Sequence, residues 1–121
     1  MIVNKDRVRL LVQALDSNEF QQGAGSLRLA QADGTVKHCC LGVATVVALR
    51  NGLQVGTDEA WGRNSILTPA VQAWYGFDAE HPTLVQPDGN CDGAAALNDS
   101  GHGFRYIAEC FRLTFLDEDT P

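Results

Sequence analysis

One segment of the chain, from Cys40 to Arg50, is apolar over nearly its whole length and is closed by Asn51-Gly52. A helix that is apolar on every side is stable only when the rest of the protein covers it. The β-branched residues in the segment lower its helix propensity, so a buried strand is the alternative. Its length exceeds that of most strands and favours a helix. The sequence therefore predicts a central, buried helix around which the other elements pack.

Two kinds of element are predicted on the N-terminal side of this helix. Apolar residues recur at helical spacing over Lys5–Leu15, after Asn4, whose side chain suits an N-cap. Two extended runs, Ser26–Ala30 and Thr35–Cys39, flank an Asp-Gly turn at residues 33–34. This pattern predicts a β-hairpin.

On the C-terminal side, Thr68-Pro69 predicts a helix start, with the threonine hydroxyl as the cap, and Gly76 ends that helix. Shorter patterns predict strands within Trp61–Leu67 and Thr83–Gln86, a brief helix at Ala94–Leu97 and a last helix at Phe104–Phe115. Together these elements predict an α+β fold. Four or five helices pack around a small, mainly antiparallel sheet that includes the hairpin near residues 26–39.

The length of 121 residues fits one domain, and no linker, repeat or low-complexity tract divides the chain. We expect residues 1–116 to form a single compact domain. The acidic residues 117–121 are expected to form a frayed tail.

The net charge of −6 argues against direct nucleic-acid binding, because phosphate-backbone binders carry a surplus of Lys and Arg. The sequence has neither the apolar core of a signal peptide nor a run long enough to span a membrane. A cytoplasmic location is therefore expected. The cysteines are expected to be thiols, because disulfides rarely persist in that compartment.

The cysteines do not have the spacing of a metal site. Structural zinc sites usually take ligands in pairs that are about two to four residues apart, whereas Cys39 and Cys40 are adjacent and Cys91 and Cys110 stand alone. The Gly-Ala-Gly turn at residues 23–25 lacks the third glycine of a dinucleotide fingerprint and the lysine of a P-loop. We therefore expect no metal and no cofactor.

Cys40 begins the predicted central helix, where the helix dipole lowers the pKa of a thiol. His102 precedes the last helix and is the candidate base, with Asn98 or Asp99 available to orient its ring. A cysteine-dependent hydrolase or transferase is therefore one hypothesis. The competing interpretation is that Cys40 only packs, since free cysteine is among the most buried residue types.

Four residues are candidates for binding rather than catalysis. Arg28 alternates with leucines in a predicted strand and so faces away from them, and Trp61 offers a stacking surface. Asn98 and Asp99 could line a polar pocket. Each also has a purely structural interpretation: an exposed strand arginine, a core tryptophan, and a helix cap or turn.

Residues 39–43 read CCLGV and residues 97–101 read LNDSG. With the segments at Glu19–Arg28, Leu67–Gly76 and Phe104–Ala108, they resemble a family of small, uncharacterised phage and prophage proteins marked by these two blocks. The resemblance covers nearly the whole chain. It implies a phage-type accessory protein and assigns no catalytic residue. Relatives often carry lysine where His102 stands, which weakens that residue as a base.

The function expected from the sequence is therefore that of a non-enzymatic, phage-type accessory protein. Its partner would be a host or phage protein, or a small polar ligand held near Arg28, Asn98 and Asp99. A counter-defence protein that sequesters a host signalling nucleotide would fit the second case. The alternatives are the cysteine hydrolase or transferase and a structural virion component, which would have to self-associate.

Overall fold

The computed structural model describes residues 3–62 and 65–116 of the chain. The predicted acidic tail, residues 117–121, lies outside these described residues. The described part contains six α-helices, α1 (Lys5–Asp16), α2 (Cys40–Arg50), α3 (Thr57–Trp61), α4 (Pro69–Tyr75), α5 (Ala94–Asp99) and α6 (Phe104–Phe111). Its strands are β1 (Gln21–Gln22), β2 (Arg28–Ala30), β3 (Val36–His38), β4 (Thr83–Val85) and β5 (Cys91–Gly93). A π-helical turn, Arg112–Leu116, continues α6. The predicted α+β fold class is confirmed, and none of the described helices is long and apolar enough to cross a bilayer.

Helix α2 lies at the centre of the fold, as its apolar composition predicts. Residues 40–45, 47 and 48 are buried, and the helix packs against α1, α4 and α5. The buried Thr45 hydroxyl is satisfied within the helix, because Oγ1 donates to the Leu41 carbonyl oxygen at 3.0 Å. Most of the helix therefore packs through apolar side chains.

The other helices close the core around α2. Helix α1 begins at the predicted N-cap, where the Asn4 Oδ1 accepts the Arg7 backbone N–H at 3.2 Å. It packs against α2 and α6. Helix α4 brings the Tyr75 hydroxyl to the Ala44 carbonyl oxygen, to which it donates at 2.6 Å. Phe77 stacks on Tyr75 with ring centroids 5.0 Å apart. The buried apolar side chains form one continuous cluster.

The predicted hairpin forms, with β2 and β3 antiparallel and Arg28 directly opposite His38. Gly34 adopts φ +90° in the turn, which is the left-handed region that favours glycine. Strand β1 adds in parallel to the other edge of β3 and was not predicted. Two glutamines carry no periodic signal, so only tertiary contacts define that strand. A second sheet pairs β4 with β5, again antiparallel.

Two predictions near α3 are wrong. The strand expected within Trp61–Leu67 does not occur among the described residues of that segment, and Trp61 instead ends helix α3. Asp58 and Glu59 lie in the first turn of α3, where carboxylates favour a helix. Thr68 occupies the N-cap position of α4 but makes no capping bond. Its hydroxyl donates to the Glu59 carbonyl oxygen at 2.5 Å and so joins α4 to α3.

The last helix begins at the predicted residue but changes form near its end. Its α-helical part ends at Phe111, and the π-helical turn occupies the remaining predicted residues. Within that turn, the Thr114 hydroxyl donates to the Cys110 carbonyl oxygen at 2.7 Å and accepts the Val85 backbone N–H at 2.8 Å. The turn therefore attaches the C-terminal end of α6 to β4.

We expect Gly42→Ala to destabilise the protein, because a Cβ there would lie 1.8 Å from the Leu27 carbonyl oxygen. That oxygen belongs to the backbone, so α2 would have to move away from the hairpin. The free energy of unfolding, measured by urea denaturation, should fall by about 2 kcal/mol or more. Gly103→Ser is the control, since nothing lies within 4 Å of its Cβ position and serine is a good N-cap. Equal stability of the two variants would contradict this close approach.

Candidate functional site

Asn98 is buried and joins three parts of the chain at one point. Its Oδ1 accepts the Cys40 backbone N–H at 3.0 Å and the Gln22 side-chain amide at 3.1 Å. Its Nδ2 donates to the Gly23 carbonyl oxygen at 2.7 Å. The N-cap residue of α2, Cys39, makes no side-chain capping bond, so Asn98 satisfies an N-terminal N–H of that helix instead. The Asn98 amide is therefore used within the fold.

The neighbouring Asp99 holds the same loop from the protein surface. Its Oδ1 accepts the Gly25 backbone N–H at 2.9 Å. The Gln22 side chain also donates to the His102 carbonyl oxygen at 2.7 Å. These contacts support the structural interpretation of the LNDSG block. The CCLGV and LNDSG blocks meet in space, and their contact fixes the loop at residues 23–25 against α2 and α5.

Burial keeps the thiols of the CCLGV block protonated. Cys40 is fully buried, and its Sγ donates to the Ala94 carbonyl oxygen at 3.5 Å. Burial, with a smaller contribution from the adjacent Cys39, raises the pKa of the Cys40 thiol well above its usual range. Burial also raises the pKa of Cys39. Because the thiolate is the nucleophilic form, this position at the helix start does not activate Cys40.

The base proposed for Cys40 is engaged elsewhere. The His102 ring stacks on Tyr106, with centroids 4.3 Å apart and an interplanar angle of 14°. The Tyr106 hydroxyl in turn donates to the Gln86 Oε1 at 2.7 Å. The Cys40 Sγ donates its proton to the Ala94 carbonyl oxygen instead. Among the described contacts, no hydrogen bond joins this thiol to the His102 imidazole.

Arg28 and Trp61, in contrast, come together at the protein surface. The Arg28 guanidinium carbon lies 4.4 Å from the centroid of the Trp61 ring, which is a cation–π contact. Arg28 is exposed on β2, as the strand alternation predicts, and Trp61 is half-buried at the end of α3. Within residues 3–62 and 65–116, the guanidinium has no carboxylate partner. Its N–H groups are therefore open to a ligand.

Three more side chains extend this pair into what we name the cation–aromatic row: Arg28, Trp61, His38, Phe20 and Arg50. The His38 ring lies 6.1 Å from the Trp61 centroid and 5.5 Å from the Phe20 centroid. The Arg50 guanidinium carbon lies 5.3 Å from the Phe20 centroid. The row therefore has three half-buried rings between two guanidinium groups.

The two ends of the row differ in their charge partners. Arg50 pairs with Glu19 at 2.6 Å, and this hydrogen bond lowers the pKa of the Glu19 carboxyl. Between the ends, burial lowers the pKa of His38, and the charges of Arg28 and Arg50 lower it further. The His38 Nδ1 is buried without a hydrogen-bond partner. At neutral pH the centre of the row is therefore an uncharged imidazole.

A cavity of about 510 Å³ opens beside α3 and α4, lined by Asp58, Glu59, Gly62, Thr68, Pro69 and Ala70. Its two carboxylates would repel an anionic ligand. Neither this cavity nor any other place in the described part of the chain gathers three side chains that could hold a metal ion. The cation–aromatic row therefore remains the stronger candidate site.

The structure divides the four predicted binding residues into two groups. Arg28 and Trp61 share the cation–aromatic row. Asn98 and Asp99 share the junction with the loop at residues 22–25, where their hydrogen bonds serve the fold. The four side chains therefore do not line a single pocket, and the sequence named two of the five members of the row as separate candidates.

Sequence reasoning missed the three other members of the row. His38 lies directly across the hairpin from Arg28, so pairing the two predicted strands would have placed a residue near position 38 beside the arginine. Phe20 and Arg50 reach the row through tertiary packing. No local pattern in the sequence marks them.

Comparisons of this chain with protein-family models, with curated proteins and with solved structures gave no match. The contacts of the chain itself therefore carry the functional argument.

We expect Asn98→Ala to lower the free energy of unfolding by about 3 kcal/mol, because each buried polar group left unpaired costs about 1–3 kcal/mol. The variant leaves the Cys40 N–H and the Gly23 carbonyl oxygen without their side-chain hydrogen-bond partner. Urea denaturation measures the effect. The control is Gln54→Ala at an exposed position, where we expect a change below about 0.5 kcal/mol. Wild-type stability of Asn98→Ala would disprove the role of this junction.

A thiol-reactive disulfide reagent is expected to label native protein at Cys91, the exposed cysteine. Cys39, Cys40 and Cys110 are buried and should react only after denaturation. The absorbance of the released thiol gives the rate and the number of reacting groups. In Cys91→Ser, the fast reaction should disappear. Rapid labelling of Cys40 in that variant would restore the cysteine-enzyme hypothesis.

Proposed function

We propose that the protein is a non-catalytic binding protein that holds the anionic group of a small polar ligand at Arg28. The observation that carries this proposal is the Arg28 guanidinium, which stacks on Trp61 and faces no carboxylate in the described part of the chain. A guanidinium presents planar donors that match two oxygens of a carboxylate or phosphate. Stacking restricts its orientation before the ligand arrives, which lowers the entropic cost of binding.

A second arginine, Arg7, stacks on a tryptophan in the same way but also has a hydrogen-bond partner within the fold. Arg7 lies 4.2 Å from the centroid of the Trp74 ring, a geometry close to that of Arg28. The Arg7 Nη1, however, also donates to the Trp74 carbonyl oxygen at 2.6 Å. That guanidinium joins α1 to α4, whereas that of Arg28 makes a similar ring contact and has no hydrogen-bond partner within residues 3–62 and 65–116. The difference supports a binding role for Arg28.

The surface favours a small ligand over a macromolecular partner. Large apolar side chains that are well exposed in the described part are Val36 and Val85, which lie in different sheets. Large continuous apolar patches mark protein-interaction sites, and two separated valines do not form such a patch. The net charge of −6 disfavours a polynucleotide.

The biological setting that fits this activity is that of a phage-type accessory protein that sequesters a ligand. The support is the resemblance of the CCLGV and LNDSG blocks to those of phage and prophage proteins. Both blocks hold the fold together at the contact of Cys40 with Asn98, so relatives that share them would share a scaffold. The burial of Cys40 counts against the cysteine hydrolase or transferase.

Sulfate is a suitable probe for the anion site. We expect sulfate to shift the Arg28 side-chain N–H and Trp61 indole N–H signals in a ¹⁵N–¹H spectrum, and Arg28→Gln to weaken this binding at least about tenfold. A hydrogen bond to a charged group contributes about 1.5–3 kcal/mol, which sets that factor.

The matched control is Arg105→Gln, which removes the same charge from an exposed position on α6. It should bind sulfate like the wild type. Chloride at the same ionic strength controls for general screening. The proposal fails if chloride reproduces the shifts or if Arg28→Gln binds sulfate as well as Arg105→Gln does.

A further inference from the structure

His38 occupies the centre of the cation–aromatic row, with one ring nitrogen left unpaired. Its Nδ1 is buried and has no hydrogen-bond partner, and its ring contacts Phe20 and Trp61. On the sheet it is the direct cross-strand partner of Arg28. Side chains at such paired positions lie on the same face, close enough for opposite or like charges to interact. A change of charge at Arg28 therefore changes the pKa of the His38 imidazole.

The charged groups that shift the pKa of His38 are the two arginines of the row. Arg28 comes from β2 and Arg50 from α2, and both disfavour a proton on His38. The carboxylate on this side, Glu19, is already paired with Arg50. Strand β1 contributes the uncharged Gln21 and Gln22, and Cys39 follows His38 in sequence. Helix α3 contributes Trp61, with the carboxylates of Asp58 and Glu59 earlier in the same helix. A protonated His38 would be a third cation beside two arginines.

We propose that an anion bound at Arg28 is taken up together with a proton on His38, so the site binds more tightly as pH falls from about 7.5 to about 5.5. This inference rests on the proposed function of Arg28 as the anion site. The anion cancels the positive charge that opposes protonation in the free protein. Protonation in turn adds a second positive charge near the anion. The two events are linked and must favour each other equally.

The size of the effect follows from the linkage. The pKa of His38 is lowered in the free protein by burial and by the two arginines, and the anion should raise it. When the pKa in the complex exceeds that in the free protein, the complex holds more protons, so affinity rises as pH falls between the two values. An anion that raises the proton affinity of His38 about threefold therefore binds about threefold more tightly at a pH below both pKa values.

The experiment measures sulfate affinity at the two pH values, since the charge of sulfate is constant between them. We expect about threefold tighter binding by the wild type at the lower pH. His38→Phe keeps an aromatic ring in the row but carries no proton, so its affinity should be the same at both pH values. His81→Asn is the matched control at an exposed histidine, and it should keep the wild-type ratio.

The outcomes separate this inference from the function on which it rests. If the wild type binds sulfate equally at both pH values while Arg28→Gln still weakens binding, the proton coupling is refuted and the anion site stands. If wild-type protein binds no sulfate at either pH, both proposals fail. Should His38→Phe not fold, the His38 ring proton signal of the wild type reports the pKa directly. A pKa unchanged by saturating sulfate overturns the coupling.

Discussion

The hydrogen bonds of Asn98 are the contact on which the rest of the structure depends. The first turn of the buried helix α2 has backbone N–H groups that must be satisfied, and its own N-cap, Cys39, makes no side-chain capping bond. Asn98 supplies that bond from α5 and also holds the Gly23 carbonyl oxygen. The Gly23 N–H in turn donates to the His38 carbonyl oxygen at 2.8 Å. One buried amide thus connects the start of the central helix to the sheet.

This connection also positions the candidate site. Strand β3 is held by the Gly23 loop on one side and by β2 on the other, which fixes His38 opposite Arg28. The exposed side chains of the row then stand on a backbone secured by buried contacts. A scaffold of this kind lets surface residues be selected for binding, while the CCLGV and LNDSG blocks are held by packing and hydrogen bonding. Gly42 belongs to the same scaffold, because its missing Cβ admits the Leu27 carbonyl oxygen.

The sequence predicted those elements whose signals are local. The apolar run of α2, the N-cap at Asn4 and the Asp-Gly turn of the hairpin each follow from a few adjacent residues, and each is confirmed. The strand expected within Trp61–Leu67 is absent from the described residues of that segment, because a short segment with mixed polarity carries little periodicity. Strand β1 was missed for the same reason. The same holds for the candidate site. The sequence indicated Arg28 and Trp61 by their residue types, while no local pattern marked Phe20 and Arg50.

The sequence by itself therefore determined the fold class, the buried helix and the outward direction of Arg28. These properties depend on hydrophobic periodicity and turn chemistry, which are read over short windows. Only the tertiary structure decided that Cys40 is a buried thiol, that Asn98 caps a helix 58 residues away along the chain, and that Arg28 meets Trp61. Each of these depends on which distant segments share a surface. Burial and long-range hydrogen bonding arise from packing, and no local pattern encodes them.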